Sequence, residues 1–226
     1  KRDWSSDVCS SDLEPGLAGV IATIEEGRST FQRILTFTLR SVIHKVVQVL
    51  FLLVGLVITG GAILTPVLMV LMMILGDMLA MSSSTDNVRP SSHPNVWRIG
   101  NLTLASIVLG LCDLGFCVSS LLMGHFVLGL DLASLQTMVV VTLVFSGQAV
   151  FYVSRERHHL WSSRPSTWMI GSSIIDLTVV IVLATVGILM VPLSPVIVGG
   201  VALGAVGLAF VLDAVKVLLF RRLSVV

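Results

Sequence analysis

Four carboxylates stand inside runs of apolar residues: Asp77, Asp113, Asp176 and Asp213. An ionised aspartate at the centre of a membrane helix costs about 2.5–3.5 kcal/mol on insertion scales, so it marks either an internal partner or a path for ions or protons. The neighbours separate the four. Asp213 lies three residues before Lys216 and two turns before Arg221–Arg222, which suits a local ion pair. Asp176 lies about two turns into its apolar segment, within reach of a basic loop residue or a neighbouring helix. Asp113 sits near the middle of its segment and suits either role. Asp77 differs, because Gly76 precedes it and Ala80 follows one turn on. Small residues let backbones approach closely and leave room for a polar pocket. Asp77 is therefore the primary candidate for binding a transported ion, with Asp113 as a possible accessory.

Other polar residues in apolar surroundings carry a weaker signal. Gln136 and Gln148 suit hydrogen bonds between helices, and Gln148 is also a candidate accessory on an ion path. His158 and His159 are adjacent, so they do not share a helix face as metal ligands at i and i+4 would; they read as a solvated loop. His44 reads as interfacial. Cys112 and Cys117 are five apart and point to different helix faces, which argues against a disulfide or a metal site. No nucleic-acid motif, nucleotide-binding loop or nucleophile triad is present, and no metal ligand set is assigned.

The elements that must position these residues follow from composition. Of 226 residues, 55% are hydrophobic and 12% charged, against about 25% charged in a typical soluble domain. Mean hydropathy is +0.99. Together these indicate a polytopic membrane protein. A membrane-crossing helix needs about 20 apolar residues, and six segments approach or meet this: about 42–58, 66–81, 102–123, 135–153, 168–191 and 196–220. The expected fold is all-α, a bundle of six transmembrane helices. Gly60–Gly61 ends the first helix. Thr65–Pro66 opens the second as N-cap and first helical residue, where proline loses no hydrogen bond.

Ahead of the first span, EEGRSTFQRILTFTLRSVIHK places Phe31, Ile34, Leu35, Leu39 and Val42 on one stripe, with Arg28, Arg33 and Arg40 interspersed. This predicts an amphipathic stalk over 28–41 that runs unbroken into the span. Arg28 to Ile58 makes a rod of roughly 45 Å at 1.5 Å per residue. Upstream, LEPGLAGVIATIEEG reads as a turn and a short helix, the remnant (14–27) of a soluble domain. Residues 1–13, KRDWSSDVCSSDL, resemble a translated sequencing adapter and are set aside.

Orientation follows from the basic residues. Beyond residue 13 they are Arg28, Arg33, Arg40, Lys45, Arg89, Arg98, Arg155, Arg157, Arg164, Lys216, Arg221 and Arg222. With six spans all of them fall on one side, and the connections around 59–65, 124–134 and 191–195 hold none. Both ends are expected in the cytoplasm.

Three stretches together, FQRILTFTLRSV, GDMLAMSSSTDNVRPSSHPNVW and VSRERHHLWSSRPS, resemble the membrane half of a P-type cation-transporting ATPase, most nearly the plasma-membrane proton-pump subgroup. The most specific feature is an intramembrane aspartate followed nine residues later by Asp86, Val88, Arg89, Pro90 and Ser91. The likeness runs from Glu14 onward and implies that the six spans are helices five to ten of ten. It places Asp77 at the sixth-helix carboxylate that binds the family's transported ion. Burial favours a neutral acid and a nearby cation favours the carboxylate, so alternating the two environments would load and release a proton. A carboxylate also suits a hard metal cation.

The departures from the pattern are Gly76 where the proton pumps usually have Asn, Met78 where they have Gly, and Val47 at the fifth-helix arginine of plant pumps. Lys45 and Gln48 stand nearby as candidate accessories. The phosphorylation motif, the nucleotide-binding domain and the fourth helix of the family are absent from this sequence, so the resemblance implies a truncated, ion-translocating portion. ATP and Mg would be used by the parent protein and not bound here. The implied partners are the lipid bilayer, the transported cation and the N-terminal half of the same pump, at the plasma membrane. Two other readings fit the composition: a six-helix secondary transporter or channel, or an inactive fragment.

Overall fold

The computed structural model describes residues 17–86, 99–155, 159–162 and 164–223. The adapter-like stretch, residues 87–97 of the second motif stretch, Arg98, Arg157 and His158 lie outside the described residues. The chain forms six long helices: α1 (Leu17–Thr59), α2 (Pro66–Ser82), α3 (Ile99–Leu122), α4 (Leu132–Arg155), α5 (Thr167–Val186) and α6 (Pro195–Leu223). A 3-10 turn at Ser83–Thr85 extends α2, and a π turn at Met123–Val127 extends α3. There is no strand among the described residues. All six helices are long and apolar enough to cross a membrane, so the expected all-α bundle is present.

The ends of the helices follow from local chemistry. The Leu68 N–H donates to the Thr65 hydroxyl at 3.4 Å, and Pro66 takes the first helical position. Gly60 stands at φ +66 and donates its N–H to Leu56 O, closing α1. Helix α5 ends at Val186 rather than near 191, because Gly187 adopts φ +84, a left-handed cap that glycine tolerates best. Its N–H donates to Leu183 O at 3.0 Å. The π turn carries the third span on to Val127, past Gly124, where the sequence suggested a connection.

Helix α4 is the axis of the bundle. It is buried along most of its length, whereas its neighbours bury one stripe each. Its core residues Val140, Val141 and Leu143 meet Ile43 and Phe51 of α1, Leu109 and Leu121 of α3, and Leu208 and Leu212 of α6 in one apolar cluster. The outward faces are apolar too: Val57, Val196 and Leu203 are each at least 75% exposed. A bundle with apolar residues on both inside and outside matches hydrocarbon as its solvent.

Helix α1 departs from the sequence reading in two ways. It is continuous from Leu17, so the short helix expected upstream of the stalk is part of the same helix, while the turn expected before it lies outside the described residues. At 43 residues it is about 65 Å long. Among its described side chains the packed face also departs from the apolar stripe. Ile34 and Val42 are exposed, whereas Ser29, Gln32, Thr36, Arg40, Ile43, Val47 and Phe51 are buried. The buried face is polar along the stalk and turns apolar at Ile43. The reason is what it packs against. Beside the stalk lies the polar end of α2, where Arg33 Nε donates to Asp86 O at 3.1 Å, and an apolar stripe has nothing to match there.

Candidate functional site

Asp77 lies on the exposed side of α2. The helix buries Leu68, Met72, Leu75 and Leu79, and Asp77 falls two residues from each of the last two, on the opposite side. Met73, Ile74, Met78 and Met81 share this exposed face. Nothing stands within 4 Å of a Cβ built on Gly76, so the helix surface beside Asp77 is open among the described residues. The backbone beside Asp77 is anchored from α1: Arg40 Nη2 donates to Gly76 O at 3.3 Å.

Arg40 is the residue that sequence reasoning missed. Only 7% exposed, it lies with its guanidinium 4.9 Å from the centre of the Phe151 ring on α4. Both Asp77 and Asp176 are within its electrostatic reach. A cation–π contact of this kind is strongest when desolvated, on the order of 2 kcal/mol. The signal was available. Phe51, Val47 and Ile43 are spaced four apart, and Arg40, three residues before Ile43, continues the same helix face.

On the far side of Arg40 lies the polar pair of α4 and α5. Gln148 Nε2 donates to Asp176 Oδ2 in a short hydrogen bond. Both residues are buried, at 6% and 4% exposure. Asp176 stands on the packed stripe of α5 with Met169, Ser173, Val180 and Ala184. One turn nearer the helix start, Tyr152 donates to Ser173 Oγ at 3.0 Å. The sequence allowed Asp176 a partner on a neighbouring helix, and that partner is Gln148.

Asp113 is buried in a third place, between α3 and α4. Ser146 lies against its carboxylate, and the Cys117 thiol reaches Asp113 Oδ1 at 3.9 Å and Ser146 Oγ at 3.6 Å. Farther along the same seam Ser120 and Thr142 share a hydrogen bond of 3.0 Å. These small polar groups join α3 to α4 and do not reach Asp77. Lys45 is exposed and Gln48 half-buried on α1. Cys112 and Cys117 are both free among the described residues.

Two charged clusters tie the helices together at the end of the bundle where the basic residues gather. The Asp86–Arg155 ion pair is buried, with each side chain 4% exposed. Asp86 Oδ1 also accepts the Ser166 N–H that opens α5. Asp86 thus links α1, α2, α4 and α5. In the second cluster Lys216 Nζ donates to Asp213 Oδ1 at 2.8 Å and to Val153 O at 3.0 Å, the local pair that the sequence suggested. His159 is an exposed loop residue, as the sequence suggested, and its ring also hydrogen-bonds Asp213 Oδ2 at 3.0 Å and stacks on Trp161. At the opposite end Gln136 donates to Ala62 O at 2.8 Å, fastening α4 to the α1–α2 connection.

No family model matches the chain. A curated protein of Methanocaldococcus jannaschii, described as a "putative cation-transporting ATPase", is 29% identical over 221 residues. The match covers 94% of this chain and 27% of that protein. The chain thus spans about a quarter of the length of the relative it matches. The similarity runs along nearly all of the six-helix bundle, in line with the coarse expectation from the motif stretches.

Proposed function

We propose that the chain is the ion-translocating membrane part of an ATP-driven P-type cation pump, nearest in kind to the proton pumps, with Asp77 as the residue that binds the transported ion. The observation that carries this reading is the extended similarity to a putative cation-transporting ATPase over a bundle of six apolar helices, one of which carries the carboxylate Asp77. The exposure of Asp77 supports it physically. A carboxylate on an apolar helix face would cost about 2.5–3.5 kcal/mol against lipid, so this face of α2 suits a protein surface rather than hydrocarbon. Further helices of a longer pump would close the pocket there. Arg40 anchors the backbone beside Asp77 and supplies the positive charge that an ion-releasing state requires.

In this reading ATP and Mg act on other parts of the complete pump, and α1 transmits their conformational change. The basic end of the bundle faces the cytoplasm of a plasma membrane. Asp77→Asn tests the assignment in the complete pump, reconstituted in liposomes and fed ATP. Cation uptake is expected to fall at least tenfold while the variant still inserts and folds. Uptake at the parent rate would remove Asp77 from the mechanism.

A further inference from the structure

Gln148 and Asp176 share one hydrogen bond and each has one atom left over. Those atoms are Gln148 Oε1 and Asp176 Oδ1, both buried and without a hydrogen-bond partner among the described residues. Both are oxygens. An amide and an ionised carboxylate joined through one N–H···O bond leave two acceptor oxygens without a donor, since the second amide N–H points away from both, and each unsatisfied buried acceptor costs on the order of 1–3 kcal/mol. A carboxylic acid removes the conflict. Its O–H donates from Oδ1 to the amide oxygen, while the amide N–H donates to Oδ2. The result is a closed ring of two hydrogen bonds, in which every polar atom of the pair has a partner. We infer that Gln148 and Asp176 form a proton-binding site in the bundle, holding a proton on Asp176 Oδ1 as one member of an acid–amide ring.

The surrounding groups are consistent with a neutral acid. Arg40 faces the pair from α1, Asp77 lies beyond it on α2, and Tyr152 is the titratable neighbour on α4. Ser173 is the polar neighbour on α5 itself. On α6, Asp213 and Lys216 are engaged with each other, His159 and Val153. An ionised Asp176 would draw the Arg40 guanidinium into a direct ion pair. Arg40 is instead engaged with Gly76 O and the Phe151 ring, and no ion pair joins it to Asp176 among the described residues. Loss of the proton to solvent water would leave a second carboxylate competing with Asp77 for the one arginine charge. This last consequence rests on the pump reading; the proton site itself does not.

Infrared spectroscopy of the chain in lipid nanodiscs at neutral pH, with isotope-labelled aspartate, tests the inference without transport. The expected result is a carboxylic-acid C=O band that disappears in Asp176→Asn and persists in Asp113→Asn. In Gln148→Leu it should move to higher frequency, because the amide partner is lost. If Asp176→Asn does not fold, the shift in Gln148→Leu still identifies the acid. Exchange of Na+ for K+, or addition of Ca2+, should leave the band unchanged. A carboxylate signal from Asp176 in place of the acid band would overturn the inference in favour of a water bridging the two oxygens. A band that is lost on adding a salt at constant pH would overturn it in favour of a metal cation between them. A complete pump that fails to transport while the band is present would remove the pump reading and leave the proton site.

Discussion

Replacing Asp86 with alanine should be among the most damaging single changes to this bundle. The Asp86 and Arg155 side chains are each 4% exposed. Removing one partner of a buried pair strips the other charge of that contact, which costs up to about 3–5 kcal/mol. The Ser166 N–H at 3.3 Å also loses its acceptor, adding up to about 1 kcal/mol for a long hydrogen bond. The sum, up to about 3–6 kcal/mol, is comparable with the entire stability of many domains. Denaturant titration in detergent micelles, followed by circular dichroism, would measure it. A double-mutant cycle sharpens the test. Arg155→Met alone should cost a similar amount, whereas Asp86→Ala combined with Arg155→Met should recover a large part of the loss. If Asp86→Ala lies within about 1 kcal/mol of the parent, the pair is hydrated and the bookkeeping for a desolvated ion pair does not apply.

Two further expectations concern the ends of the bundle. Lys216→Met removes a fully buried ammonium that holds Asp213 and Val153 O; His159 and the Leu160 N–H remain on Asp213, so the cost should be about 2–4 kcal/mol, below that of an isolated buried pair, by the same titration. Gly187→Ala places a Cβ 2.9 Å from Pro192 Cδ at φ +84, and should destabilise by about 1–2 kcal/mol from left-handed strain and crowding, with faster hydrogen exchange at the end of α5.

Much of the fold was legible because lipid imposes a simple rule on sequence: a long apolar run bounded by glycine, proline or a capping residue is a span. Thr65–Pro66 is a clear case, since the cap chemistry is local and needs no knowledge of the neighbours. The end of α5 was missed because Ile188 to Val191 are apolar, and only the backbone at Gly187 shows that the helix has stopped. The stalk helix runs unbroken into the span as expected, but which of its faces packs was misread for another reason. Amphipathic reading assumes that the apolar face is the packed one, which holds in water. Here the partner of the stalk is a polar helix end, so Ser29, Gln32 and Thr36 face inward and Ile34 faces out. In the sequence Asp77 stands out by its small neighbours, whereas the pairing of Gln148 with Asp176 brings residues 28 apart to the same depth, and that depends on how α4 and α5 align. Arg40 was read as one more stalk charge because loop and stalk arginines are usually solvated, and its ring partner Phe151 lies over a hundred positions away.

The unbroken run of α1 has a mechanical consequence. Arg40 is held at Gly76 and Phe151, which makes that level a fulcrum. About 35 Å of helix lies on the Leu17 side and about 29 Å on the Thr59 side, at 1.5 Å per residue. A swing of about 10° would move the first end by roughly 6 Å and the second by roughly 5 Å in the opposite direction, if the rod stays straight. With no proline between Leu17 and Thr59, little of that stroke would be lost to bending. The chain thus contains a lever of nearly equal arms, with its pivot at the level of the carboxylates.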